Sequence, residues 1–383
     1  MCRAAFLLTV VAGCSFAADQ FHPSGDASDS DAAPVADAAV PQEIDAPTES
    51  SVDAPPTDAL VCFGHDLITV CVNQPPVEVL TFNQPTLIDT SNAANCTMVV
   101  VQANGESACV ILANTITINA SFAARGSRPL VVIGANAMTV NGSIDVSSTK
   151  AQATPGVGGN SSACTAGSGT GSNNGGGGGA GGSFGGSGGA GGNGQNNNGG
   201  AGGIKPPTAP PSVRGGCRGG TGGNRDNSPG GSGGNGGGAV FLISNSVVNI
   251  NGTINASGAG GRAGIGGSGG GGGGSGGIIG FDAPIVNVSQ SALVFANGGA
   301  GGEGGAFSAS EDGQDATSPV AAAEGGDNNT IGGDGGRGSV GGSLGGGDGV
   351  VGGFGGGAGG GGAGVIRVVP VQNLAGTVSP PAS

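Results

Sequence analysis

A short strand-rich unit recurs along this chain, and that recurrence limits the fold more than any other feature. Val240-Phe241-Leu242-Ile243, a Ser-Asn-Ser turn and the run Val248 to Gly258 shift back by 110 positions onto Leu130 to Ser148 without a gap. Ile250 to Ala256 then falls on Val140 to Val146. An earlier copy, Val110 to Ala124, precedes the second by an offset of 22 residues, with only Arg125 to Pro129 between them. A fourth runs from Ile278 through Val288 to Gly298 with one or two residues of slippage, and Val365 to Val369 opens a fifth. Apolar Val248, Ile250, Ile254 and Ala256 alternate with Asn249, Thr253 and Asn255. That period of two puts the apolar side chains on one face of a strand. A single unit cannot bury such a face, whereas units stacked in parallel enclose a continuous aliphatic interior. The expected fold is therefore all-β, a right-handed parallel β-helix-like solenoid with about 22 residues per coil. A β-sandwich is the competing fold, but its hairpin-linked strands do not recur ungapped at a fixed offset.

Glycine interrupts the repeat at one corner. Of 383 residues 91 are Gly, concentrated in tracts 149–238, 259–277 and 299–364 that follow successive units, so the insertions are expected on one flank. Inside them non-glycine residues recur at every third position, as in Ser187, Ala190 and Asn193, and in Asp334, Arg337, Val340 and Ser343. Three residues per turn is polyproline II geometry. The pattern resembles the polyglycine II bundles of certain glycine-rich antifreeze proteins and phage tail adhesins. The other reading is a flexible low-complexity loop. Ordering costs roughly 1 to 2 kcal/mol per residue and a backbone hydrogen bond returns about 1 kcal/mol, so both readings stand. Tracts with regular triplets, such as Gly332 to Ser343, are expected to order more readily than Gln195 to Pro211 or Ser308 to Asp327.

Residues 1–16 read as an export signal: Arg3, an apolar run from Ala4 to Val11 too short to span a bilayer, then Val11-Ala12-Gly13-Cys14. The last four resemble the bacterial lipobox, which implies that Cys14 is acylated and leads the mature chain. An ordinary signal peptide cleaved near Ala17-Ala18 is the alternative. Residues 17–60 are rich in Asp, Ala, Pro and Ser with ten acidic residues and no Lys or Arg, the composition of a disordered tether. Residues 61–109 are expected to form a disulfide-bonded cap and residues 110–383 the coils. Cys62, Cys71, Cys96, Cys109, Cys164 and Cys217 remain after the signal, an even number that in an exported chain reads as disulfides with fifteen connectivities on paper. Nearest-neighbour pairing is the expectation, with Cys62–Cys71 and Cys96–Cys109 as hairpin staples. Zinc would need close C-x2-C spacing or nearby His, and neither occurs.

The tether, the paired cysteines, Gly126 to Val132, Val140 to Ser148 and the glycine tracts together resemble glycine-rich surface lipoproteins of Gram-negative bacteria. The resemblance covers nearly the whole chain. It implies a lipid-anchored address at the outer membrane or cell surface, and it brings no reaction, cofactor or site residues.

The formal charge of −14, with eleven basic residues scattered along the chain, argues against nucleic acid, whose phosphates need clustered Lys and Arg. Parallel β-helices also carry polysaccharide lyases and hydrolases, which need clustered carboxylates with Arg or Lys beside the cleaved bond. Only Asp145 and Asp282 lie in or beside the repeated strands, Asn255 stands where Asp145 would repeat, and His22 and His65 lack a nucleophile context. No catalytic residue, metal or cofactor is expected. The leading expectation is a non-catalytic surface protein, structural or adhesive, contacting glycans or surfaces through outward Asn, Thr and Ser. The alternative is a carbohydrate-active enzyme, which three acidic side chains gathered on one coil face would favour.

Overall fold

The computed structural model describes residues 60–103, 105–152, 154–195, 210–306, 309–328 and 331–383. The leader, Cys14, His22, nearly all of the tether and most of the stretch from Gln195 to Pro211 lie outside the described residues. Among the described residues the regular structure is β, apart from one 3-10 turn at Ala93–Asn95. β1 (Val61–Phe63) and β2 (Val70–Val72) form an antiparallel hairpin. β3 (Val79–Phe82), β4 (Thr86–Asp89), β5 (Met98–Val100), β6 (Ala108–Ile118), β7 (Ser121–Arg125), β8 (Leu130–Val140) and β9 (Ser143–Asp145) follow. After the first glycine tract come β10 (Ala239–Ile243), β11 (Val247–Ile250) and β12 (Thr253–Asn255). Beyond the second lie β13 (Ile278–Asp282), β14 (Ile285–Val288) and β15 (Leu293–Phe295), and beyond the third β16 (Val365–Val369) and β17 (Thr377–Ser379).

These strands pair in parallel along three ladders. The first runs from the N-terminal half of β6 through that of β8 to β10, β13 and β16. The second runs from β3 through the C-terminal halves of β6 and β8 to β11 and β14. The third joins β4, β7, β9, β12, β15 and β17. The 110-residue offset is the register itself: Leu130 pairs with Val240, Ala137 with Val247 and Ser143 with Thr253. The 22-residue offset holds only from Thr115 onward. Ahead of it Cys109 pairs with Leu130 and Ala113 with Gly134, and an irregularity between Ala113 and Thr115 absorbs one residue. A further difference concerns the border expected at residue 110. Parallel pairing already begins at Val79, so β3 and β4 belong to the stack, and only the β1–β2 hairpin and antiparallel β5 lie outside it.

Two cores explain two kinds of strand sequence. Ile116, Ile118, Phe122, Met138, Val140, Ile144, Val248, Ile250 and Ile254 form one buried cluster shared by strands of all three ladders. β11 accordingly alternates, with Val248 and Ile250 buried and Val247 and Asn249 only partly so. β10 and β13 are buried at every position, because the outer face of the first ladder is covered too. There Phe63, Ile68 and Val70 pack with Val110, Val131, Phe241 and Ile243, joined by Phe184 and Val213 from the first glycine tract. A strand buried on both faces reads as an unbroken apolar run. Between the second and third ladders successive units are tied by side chains: Asn119 donates to Asn83, Asn141 to Asn119 and Asn251 to Asn141, each at 2.8 to 2.9 Å.

The described residues of the glycine tracts form an array without strand or helix, held by backbone hydrogen bonds every third residue. Residues 268–277 are buried throughout. Their N–H groups take three directions in turn. Gly269, Gly272 and Ser275 donate to Gly223, Gly220 and Cys217; Gly270, Gly273 and Gly276 to Gly356, Gly359 and Gly362; Gly271, Gly274 and Gly277 to Arg262, Ala259 and Ala256. Their carbonyls accept from three further segments, around Gly179, Gly234 and Gly302. Residues 355–364 likewise have six neighbours. Each donates toward three chains and accepts from three, which satisfies the buried backbone completely. The approach leaves no room for side chains: a Cβ on Gly272 would overlap the carbonyl of Ala180, and one on Gly361 that of Gly274. Large or charged triplet residues such as Arg337 sit on the outside, whereas small ones such as Ala180, Ala300 and Ala358 are buried within the array. Described residues of the Ser308 to Asp327 stretch also join the array, through Gly313 to Gly261 and Gln314 to Glu324. Regular triplets are therefore not required for order here.

Candidate binding groove

The six cysteines form three bridges between sequence neighbours, Cys62–Cys71, Cys96–Cys109 and Cys164–Cys217. The first closes the β1–β2 hairpin and the third ties two segments of the glycine array. The carboxylates of the coils are each engaged in structure. Asp282, 2% exposed at the end of β13, accepts from the His65 backbone N–H at 2.6 Å and lies 3.1 Å from His65 Nδ1. Asp66 binds the Arg367 guanidinium on β16. The hairpin is thus strapped across the last two rungs of the first ladder. Asp145 pairs with Arg125 at 3.2 Å and accepts from the Ser147 N–H and hydroxyl.

Acidic side chains do gather in the glycine array. Glu303 is fully buried and its Oε2 accepts from the Glu311 N–H at 2.8 Å. Burial, then the charges of Asp327 and Glu303, push the Asp334 carboxyl above its ordinary value. Among the described residues no group of three His, Cys, Asp or Glu is arranged to hold a metal ion.

Basic residues that look scattered in the sequence converge on one surface of the array. Four adjoining clefts share lining residues: Ser161 links the first to the second, Arg218 the second to the third, and Arg262 the third to the fourth. Together they form a groove that carries Arg214, Arg218, Lys150 and Arg262 against Glu106 and Asp312. At one end Arg214 stacks 4.6 Å above the Phe184 ring and reaches the Ser161 hydroxyl at 3.5 Å, and burial draws its guanidinium below the usual value. Arginine stays cationic there. In the middle, Arg218 is exposed and donates through Nε to the Gly233 carbonyl at 3.2 Å. A cleft of about 220 Å³ follows. Here Arg262 binds Asp312 at 2.7 Å, Lys150 Nζ stands 3.9 Å from the same carboxylate, and Gln152 Oε1 is buried without a donor. Asp315 anchors the wall by accepting from the Lys150 and Gly260 N–H groups.

Sequence reasoning missed this groove because its cations stand between 150 and 262 in different segments. The signal that could have found it is placement: all four lie in glycine tracts, none in a strand. Comparison of the chain with protein-family models, curated proteins and solved structures found no match.

Proposed function

We propose that this chain is an exported surface lipoprotein, structural or adhesive and non-catalytic, anchored through lipid at Cys14 to the outer membrane or cell surface of a Gram-negative bacterium. In this reading the three ladders are the sides of a right-handed β-helix-like solenoid, and the array is a polyglycine II bundle on its flank. Support for the solenoid is the unchanged ladder order through successive units. Support for the bundle is the three-residue bonding period with six neighbours around each central segment. The observation that carries the functional reading is that the ladder carboxylates Asp89, Asp145 and Asp282 each accept structural hydrogen bonds while the exposed surface offers an open groove.

The alternative, a carbohydrate-active enzyme, draws on the grouping of Asp334, Asp327 and Glu303. Glu303 is fully buried, out of reach of a polymeric substrate, which weighs against it. Changing Cys14→Ala tests the anchor. Two or three acyl chains hold a lipoprotein firmly, so the variant should move from the membrane to the soluble fraction. Wild-type partition by the variant would refute the lipid anchor, and protection of wild type from protease added to intact cells would refute the surface address.

A further inference from the structure

We infer that the groove lined by Arg214, Arg218, Lys150 and Arg262 is a binding site for a linear polysaccharide bearing carboxylate or sulfate groups. The inference deepens the surface-protein reading and rests on it. Three observations point to this ligand class. First, the cleft chain is extended, with four adjoining compartments meeting at Ser161, Arg218 and Arg262, the shape of a polymer rather than of a compact metabolite. Second, its lining carries four cations against two carboxylates on a molecule of net charge −14. Much of that negative charge lies elsewhere: residues 1–59 hold ten acids and one base, leaving −5 for the remainder. Third, the chain has no Trp or Tyr, and among the described residues the ring that meets the groove, Phe184, is 3% exposed and already covered by Arg214. Phe184 therefore offers no stacking face to a neutral sugar or a nucleobase. What the groove offers is guanidinium forks, which match carboxylate and sulfate oxygens in bidentate geometry.

The roles divide along the groove. Arg218 makes a single backbone contact through Nε and faces solvent, so its two terminal nitrogens are positioned for an anionic oxygen. Arg214 is fixed by Phe184 and the Cys164–Cys217 bridge, which presets its fork before a ligand arrives. Arg262 and Lys150 share Asp312, which keeps them extended at the cleft mouth. The hydroxyls of Ser161, Ser168 and Thr221 and the Asn160 amide line the wall between the Arg214 and Arg218 compartments and suit sugar hydroxyls.

The test is a titration of the purified full chain in detergent with polygalacturonate, dextran sulfate, neutral dextran and a deoxythymidine oligomer. The expected result is binding of one or both anionic polysaccharides, weakened by salt, with neutral dextran silent and the oligonucleotide weaker. Arg218→Gln should reduce affinity about tenfold, the loss of one charge-assisted contact. Arg214→Gln should do the same if it folds, and Arg218, whose head is exposed, decides the matter if it does not. Arg128→Gln removes a cation that lies outside the groove and binds the Thr90 and Ser91 carbonyls, and it should leave affinity unchanged. Equal binding of neutral dextran, tighter binding of the oligonucleotide, unchanged affinity in Arg218→Gln, or silence toward both polyanions would overturn the inference. Protease accessibility on intact cells is scored separately, so a silent groove on a surface-exposed protein sinks the ligand alone. A protein that proves inaccessible sinks the reading beneath it.

Discussion

The strand ladders and the glycine array are bonded almost equally well along the backbone, yet they specify their packing by opposite means. In the ladders, side chains decide: Ile116, Met138, Ile250 and Ile254 fill the interior, and the backbone pairs follow in register. In the array the absence of side chains decides, because chains approach until a carbonyl occupies the place of a Cβ. A ladder therefore tolerates exchange of one aliphatic residue for another of similar volume but not a charge. The array should be indifferent to the chemistry of a substitution at its centre and sensitive to its mere presence. Stability in one region is hydrophobic, and in the other it is carried by hydrogen bonds and close contact.

The sharpest break of that contrast is a charge in the interior. Ile250→Asp places an unpaired carboxylate where the side chain is fully buried, and should cost about 4 kcal/mol or more, melting the stack. Asn249→Asp one residue away should be close to neutral, since Asn249 Oδ1 only accepts, from Asn287 Nδ2 at 2.9 Å, and Asp retains that acceptor. Thermal unfolding followed by circular dichroism separates them, and equal midpoints would mean the facing is inverted.

Next comes the smallest side chain in the wrong place. Gly272→Ala would drive a methyl into the Ala180 carbonyl and should cost about 3 kcal/mol, the upper end for overpacking. Gly345→Ala meets nothing nearer than the Ser187 carbonyl at 3.8 Å and should leave the midpoint unchanged. Were both alanines tolerated, close backbone approach would not be what holds the array.

A third change probes the strap between the hairpin and the ladders. Asp282→Ala removes the acceptor for His65 and should cost about 1 to 2 kcal/mol. The effect should be local, read as faster hydrogen exchange at Phe63 and Val70 with the interior of β11 unaffected. Uniform acceleration would show that the hairpin and the stack unfold as one.

How much of this was legible differs between the two regions for the same physical reason. Ladder register is written in side chains, so the ungapped match of Val240 to Ala256 with Leu130 to Val146 carried it directly. The one-residue irregularity near Asn114 was hidden, because both neighbouring runs are apolar and tolerate either alignment. The two-sided burial of Ala239 to Ile243 was not read from its unbroken apolar run, because the cover comes from residues 63–70, far away in sequence. In the array the three-residue period was visible while the partners were not. Glycines 269 and 270 are chemically identical, yet one bonds toward Gly223 and the other toward Gly356, and nothing in the letters distinguishes them. The groove inherits that silence, since Arg218 and Arg262 meet only once the array has placed their segments side by side.

The smallest expected effect lies where the array carries charge. Asp334 sits partly buried beside Val350, whose N–H its carbonyl accepts, and its carboxyl is raised by burial first and then by Asp327 and Glu303. A carboxyl raised in the folded state binds its proton more tightly folded than unfolded, so ionisation opposes folding. That opposition is fully present above the folded value, fades as pH falls through it, and is gone below the unfolded value, near pH 4. Asp334→Asn removes the charge and keeps the shape and the backbone bond. At neutral pH the variant should melt higher by an amount of the order of 1 °C, kept small by solvent screening of a partly exposed group. The difference should shrink steadily on acidification. A gap that widened toward low pH would mean that the ionised carboxylate stabilises the array, and the glycine region would then depend on side-chain charge as the ladders depend on side-chain volume.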